Sequence, residues 1–261
     1  MFSYQHGFFN NARLWIPKHI GYGIQPSAFR LINALLLYLF GARTIYTYDH
    51  VPHVRYELVK MVVSKIAEQI EQVQLITSIP KSLLSKRLLK LIDAANTKEI
   101  FRHANIIYIA PGDATNTGLP DGSIDLVYSN AVLEHVPESV LHGLTIETKR
   151  ILRENGIAYH VIGLHDHYIS FDKNISKVNF LKYPEWFWSL FVKNQISYTN
   201  RLRERQFVEI FKSYGAKVRI ANTKIDQHDL EILKTMKINK RFSGMTDREL
   251  AVHHSEIILS F

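Results

Sequence analysis

Nothing in this sequence constrains the fold more than the way its apolar runs change period. Short β-branched and aromatic stretches, bounded by turn segments rich in Gly, Pro or Asp, alternate with longer runs whose apolar residues recur at helical spacing. Residues 44–48, 105–110, 124–129 and 157–164 read as strands. Residues 13–20, 216–221 and 255–261 complete a set of seven. The helical runs are 27–40, closed by Gly41, then Val54 to Val73 as one helix of about five turns, 81–95, the run after Pro137 that stops at Gly156, and 206–214. Thr246 and Glu249 have the spacing of a capping box before the last strand. Such alternation predicts an α/β fold, a Rossmann-like doubly wound sheet that is mostly parallel and covered on both faces. No repeat and no linker divides residues 1–261, so one domain is expected, with residues 165–205 inserted after the fifth strand.

Composition removes several kinds of chemistry. With 0 cysteines the chain has no thiolate nucleophile, no disulfide framework and no cysteine-ligated metal. The N-terminal stretch lacks the basic start and apolar core of a signal peptide, and the longest apolar run, 31–40, is too short to cross a bilayer. A cytoplasmic location is expected. The net charge is +8. Residues 171–220 hold ten Lys/Arg against four Asp/Glu and two of the three tryptophans. A basic, aromatic surface suits an anionic or ring-shaped partner, and equally describes a solvated face over a local core.

In doubly wound folds ligands sit at the carboxyl ends of the strands, so the strand-to-helix junctions are the candidate sites. The first junction, GYGIQP, offers Gly21, Tyr22 and Gly23, but Pro26 stands where a dinucleotide fingerprint needs a third glycine. At the second, Asp49 and His50 follow the strand in GARTIYTYDH, and a carboxylate there can accept hydrogen bonds from both ribose hydroxyls. The third, PGDAT, places Gly112, Asp113 and Ala114 where an adenine edge can be read; Asp113 as a plain turn-former is the other reading. The fourth is LPDGSIDLVYSNAVLEHV, followed by a helix ending KRILRENG.

Those last two motifs resemble the class I S-adenosylmethionine-dependent methyltransferases, in particular the methyltransferase type 11 branch. The resemblance implies S-adenosylmethionine as cofactor, with Gly21 and Gly23 beside its methionyl part, Asp49 on the ribose, Asp113 and Ala114 at the adenine and Asn130 beneath the sulfonium. Two departures stand out: His19 replaces the usual acidic residue before the first glycine, and the glycine loop is GYGIQP. The segments HVIGLHDHYISFDKNISKVNFLKY and NRLRERQFVEIFKSYG also resemble a group of uncharacterised bacterial methyltransferases associated with surface-glycan synthesis.

Past the fifth strand, His165, Asp166 and His167 stand where a methyl acceptor must enter, and a histidine paired with a carboxylate suits a general base. Arg201 and Arg203 are expected to clamp an acidic group on the acceptor. Asp166 and His167 with a further oxygen ligand are the alternative, a divalent-ion site, but no metal is expected. His135 is expected to order the loop under the cofactor, and Tyr56 with Lys60 to be helix surface. The expected activity is O-methylation of a sugar, glycan or other small hydroxyl acceptor. RNA-ribose or tRNA methylation and a non-catalytic protein retaining the fold are the alternatives; nucleic acid is the less favoured partner, because the chain lacks both a cysteine and a (D/N)PP(Y/F) signature.

Overall fold

The computed structural model describes residues 13–17, 31–77, 79–172, 174–192 and 198–261. In chain order the elements are β1 (Arg13–Pro17), α1 (Ile32–Leu39), β2 (Thr44–Tyr48), α2 (Tyr56–Glu68), α3 (Ile70–Thr77), α4 (Lys81–Ile92), α5 (Thr97–His103), β3 (Ile106–Ile109), β4 (Ile124–Asn130), α6 (Glu138–Ile151) and β5 (Leu152–Gly163). They continue with α7 (Glu185–Phe187), α8 (Glu204–Ser213), β6 (Lys217–Ile225), α9 (Gln227–Leu233), α10 (Asp247–Leu250) and β7 (Val252–Ser260). The strands form one sheet in the order β3-β2-β1-β4-β5-β7-β6. Pairs among β1 to β5 are parallel, and β7 lies antiparallel to both β5 and β6. The α/β, Rossmann-like expectation holds, and the strand order reverses between β1 and β4, where such sheets open a crevice.

Both faces of the sheet are buried because successive strand residues serve different cores. Leu126 packs with Ile45, Ile106 and the apolar stripes of α1, α2, α4 and α5. Its neighbour Val127 packs with α6 and α8, against Leu141, Leu144, Phe207 and Phe211. A third, smaller core lies past the sheet's edge: Val178, Phe180, Leu181 and Trp188 pack on Leu233, Phe242 and Leu250 of the C-terminal third. The expected insertion is thus tied to α9 and α10 by apolar contact. Among the described residues no helix is long and apolar enough to cross a membrane.

Three local expectations are corrected. The run from Val54 to Val73 is two helices, breaking at Gln69, whose backbone N–H bonds to Ile66 instead of continuing the α ladder. Gly156 does not stop a helix: α6 ends at Ile151, and Gly156 sits inside β5 after an outward bulge. A Cβ there would stand 2.9 Å from the carbonyl of Ile124, so only glycine lets the bulge rejoin β4. Between α4 and β3 the chain forms α5, nucleated by Asn96 accepting from the backbone of Glu99 at 3.0 Å while Glu99 accepts from Ala95 at 2.8 Å.

Candidate functional site

The carboxyl ends of β2 and β3 open onto a cleft of about 650 Å³, walled on its far side by the first turns of α6. His50, Gly112, Asp113 and Ala114 line it. So do Thr115, Ser139, Val140 and Gly143, which sequence reasoning did not single out. Gly112 is needed by close packing: a Cβ would meet Ile109 and the Tyr48 ring at 3.0 Å. Gly143 brings α6 against the loop, since a Cβ there would stand 3.2 Å from Thr115. A glycine inside a helical pattern was the available signal for that close approach.

Asp49 lies at the back of this end, 2% exposed, accepting from Tyr108 Oη at 3.3 Å. Its backbone closes the turn, with Gly112 N–H donating to the Asp49 carbonyl at 2.9 Å. Asp113 does part of what a turn-former does: Oδ1 accepts from the backbone N–H and the hydroxyl of Thr115 at 2.8 and 2.7 Å. The loop is held from below by α6. Glu147 accepts from the Thr117 N–H at 2.8 Å and from Arg150 at 2.7 and 2.8 Å, while Arg150 donates to the Leu119 carbonyl at 2.7 Å. Burial works to raise the Glu147 carboxyl, but hydrogen bonds from Arg150 and Thr117 hold it below its ordinary value. Gly21, Tyr22, Gly23, His19 and Pro26 lie outside the described residues.

The ends of β4 and β5 carry a different population. Asn130 closes β4 exposed, and Ala131 beyond it takes a left-handed φ of 52°. The turn Leu133–His135 follows, burying Glu134 and His135. Opposite them, the turn His167–Ser170 brings the His167 ring to 4.7 Å from His135, with His165 on its other side at 4.9 Å. Glu134 Oε1 accepts from Gly163 N–H at 3.1 Å, and Oε2 is buried with no hydrogen-bond partner. Burial raises the Glu134 carboxyl to about 8. Burial and the two neighbouring imidazoles push His167 down to about 3, and burial also lowers His165. Burial thus disfavours the charged forms of Glu134, His165 and His167 alike.

Two sequence expectations do not survive. Asp166 does not orient His167: its oxygens accept from the backbone of Tyr168 at 2.9 Å and from Asn179 Nδ2 at 3.1 Å, so it caps the turn. Arg201 and Arg203 do not face an acceptor. Arg203 is 0% exposed and donates to the carbonyls of Leu164, Leu250 and Val252, the first two at 2.6 and 3.0 Å. Burial lowers it to about 10, so it remains a cation. Arg201 donates to the carbonyls of Tyr183 and Phe180 and to Glu185, with its guanidinium 4.7 Å over the Trp188 ring. Asn200, which begins the NRLR motif, donates through Nδ2 to the carbonyls of Leu133 and Val136, both at 2.8 Å. The motif is a clasp that fixes the loop carrying Glu134 and His135. His135 is itself anchored, Nδ1 to the Tyr198 carbonyl at 2.7 Å.

With this geometry in place, the comparisons with known proteins are specific about one segment. The family model of the methyltransferase domain matches residues 84–160, from α4 almost to the end of β5. No curated protein matches the chain. Among solved structures, an arsenic(III) S-adenosylmethionine methyltransferase from Chlamydomonas reinhardtii is 16% identical, covering 97% of this chain and 63% of its own, with a TM-score of 0.45. The PH0226 protein from Pyrococcus horikoshii is 11% identical over 96% of this chain and 82% of its own, TM-score 0.45. A geranyl diphosphate methyltransferase in complex with S-adenosylmethionine is 11% identical over 97% and 79%, TM-score 0.43. The matched segment carries the motifs LPDGSIDLVYSNAVLEHV and KRILRENG, and over residues 84–160 the chain is similar to the methyltransferase domain.

Proposed function

We propose that the chain methylates a hydroxyl of a sugar, glycan or other small acceptor that enters over the ends of β4 and β5. The observation that carries this reading is the half-buried pair of imidazoles, His165 and His167, whose rings meet at 4.9 Å past the strand ends. In this reading Asp49 holds the ribose, His50, Gly112, Asp113 and Ala114 surround the adenosyl end within the cleft, and Asn130 lies beneath the sulfonium. Asp113 Oδ2 has no hydrogen-bond partner among the described residues, which suits it to an adenine amino group.

Methyl transfer from a sulfonium is governed mainly by alignment of acceptor oxygen, methyl carbon and leaving sulfur. As the oxygen–carbon bond forms and the carbon–sulfur bond breaks, the sulfur leaves as the neutral thioether and the hydroxyl proton passes to the lone pair of His167 and from it to solvent. Burial and the neighbouring imidazoles hold His167 below its ordinary value, so that lone pair is available before the transfer. Phe171, 65% exposed and packed beside Tyr168, offers an open ring for a sugar face on the segment 165–205. That segment forms the acceptor side.

Calorimetry with S-adenosylhomocysteine and a labelled methyl-transfer assay over paired hydroxyl and amino sugars test the reading. Asp49→Ala is expected to weaken cofactor binding by roughly 1.5–3 kcal/mol, about 10- to 100-fold in Kd, the loss of a charged acceptor. Label should be recovered as O-methyl product. Unchanged affinity in Asp49→Ala rejects the ribose role, and recovery of the label as N-methyl product alone rejects the hydroxyl acceptor.

A further inference from the structure

One group of side chains is arranged more closely than orienting a hydroxyl requires. Glu134, His135 and His167 each offer one ligand atom, and these atoms all lie within 4.8 Å of one another. We propose that Glu134, His135 and His167 bind one divalent transition-metal ion of the zinc class. Two imidazole nitrogens and one carboxylate oxygen form a donor set suited to zinc and its first-row neighbours; magnesium and calcium prefer oxygen throughout.

The hydrogen bonds around the three residues are those of prepared ligands. His135 Nδ1 lies 2.7 Å from the Tyr198 carbonyl, which can only accept, so Nδ1 carries the proton and the lone pair is on Nε2. A backbone carbonyl fixing one ring nitrogen while the other turns to an ion is the usual outer layer of a metal-bound histidine. Glu134 is pinned through Oε1 by the Gly163 N–H, leaving the buried Oε2 without a hydrogen-bond partner. A buried carboxylate oxygen left unmatched calls for a cation or a donor. Gly163 makes the room: a Cβ there would stand 2.9 Å from Glu134 Oε1.

The turn bearing Glu134 and His135 is gripped by Asn200, whose backbone N–H also donates to the Glu134 carbonyl at 2.8 Å. Two of the three ligands therefore sit on a fixed frame. His167 is on a short, half-buried turn, the element best able to close the set. Atoms bound to one ion at about 2.1 Å lie roughly 3–4 Å apart, a small inward movement from the present spacing. Three protein ligands leave at least one coordination position open. That position faces the acceptor only if the preceding proposal is right, in which case the ion takes the hydroxyl in place of the His167 lone pair; ion binding itself does not depend on it.

The full chain, freed of metal by chelator dialysis, should bind Zn²⁺ at one ion per chain in calorimetry. Co²⁺ should give visible absorption bands of a nitrogen- and oxygen-bound ion, and Mg²⁺ should give no heat. His167→Ala and Glu134→Gln should each weaken Zn²⁺ binding about 100-fold or more, while His228→Ala, a change to a histidine on α9 far along the chain, should leave it unaltered. Should the buried Glu134 variant fail to fold, anomalous diffraction at the zinc edge from wild-type crystals replaces it, and a single peak within bonding distance of the three ligand atoms is expected. Absence of stoichiometric binding, an affinity unchanged in His167→Ala, or a peak on other histidines overturns the proposal. S-adenosylhomocysteine binding by the metal-free chain is read separately, so loss of the metal site and loss of the methyltransferase reading give different results.

Discussion

The two ends of the strand-end surface use polar residues in different ways. At the β2–β3 end the cleft is shaped by backbone and small residues, Gly112, Ala114 and Gly143; Asp113 lines the open space, Asp49 and Glu147 are buried behind it, and Arg150 staples the loop from a partly exposed position. At the β4–β5 end the titratable groups are themselves the interior: Glu134, His135 and Arg203 are all under 9% exposed. The first arrangement reads a ligand with groups on the wall. The second spends its arginines on protein carbonyls and its carboxylates on backbone and amide N–H groups, while the imidazoles of His165 and His167 keep partial access. A guanidinium's role follows from what surrounds it, not from its charge.

The strongest way to break this contrast is Arg203. If it is a clasp, Arg203→Met strands the carbonyls of Leu164 and Leu250 in the interior, and a cost of about 3 kcal/mol or more in urea unfolding is expected. Arg205→Ala, two residues on, removes an exposed pair with Glu209 and should leave the urea midpoint almost unchanged. Stability untouched in Arg203→Met, together with a raised acceptor Michaelis constant, would restore the anion-clamp role and erase the difference between the two ends.

A comparable effect is expected from His160, which lies between the two ends on β5, 2.7 Å from Ser129 Oγ and stacked on Phe211. Burial holds its pKa at about 4, against an ordinary value of 6.5. Between those values the unfolded chain binds a proton that the folded chain refuses, so stability rises with pH across this window and is fully regained above the unfolded value. The span corresponds to about 3 kcal/mol. Urea midpoints at pH 4.5 and 7 in wild type and His160→Gln isolate the contribution, since other groups cancel in the difference. Equal pH dependence in the two proteins would mean that the imidazole is already solvated.

Much of the β2–β3 end was legible as strand-to-helix junctions because its signals are local. Turn residues after apolar strands, PGDAT and LPDG, mark junctions whatever the rest of the chain does, and the burial of Ile124, Leu126 and Val127 follows from an apolar run interrupted only by Asp125. The β4–β5 end was misread because its signals are non-local. Arg201 and Arg203 look like surface in sequence; what buries them is the Trp188 ring for one and carbonyls 39 to 49 residues away for the other. Asp166 beside His167 suggested a dyad, yet adjacency along the chain points successive side chains apart, and the His167 ring meets two imidazoles instead, His165 and, from another strand end, His135. Glu134, set between Leu133 and His135 in an apolar motif, carried the one usable clue: a carboxylate in a buried setting needs a compensating group. The short helices α5 and α9 were missed for want of a periodic apolar stripe, although Asn96 and Asp226 cap them.

The smallest expected effect is the one that most sharpens the comparison. A surface clamp for an acidic acceptor is screened by salt over about 8 Å at physiological ionic strength, so its Michaelis constant climbs steeply as salt is added. Buried charges matched by protein dipoles feel little of that screening. Arg203 is matched by three carbonyls, and Arg201 by two carbonyls, Glu185 and the Trp188 face, and neither is more than 2% exposed. The acceptor's Michaelis constant should therefore change by less than about twofold between 50 and 300 mM salt, the behaviour of a neutral acceptor held by hydrogen bonds and ring contacts. A steep rise would show that an anion is bound electrostatically. Because Arg201 and Arg203 are committed inside, the cations responsible would then have to be sought among the exposed lysines and arginines of residues 171–220.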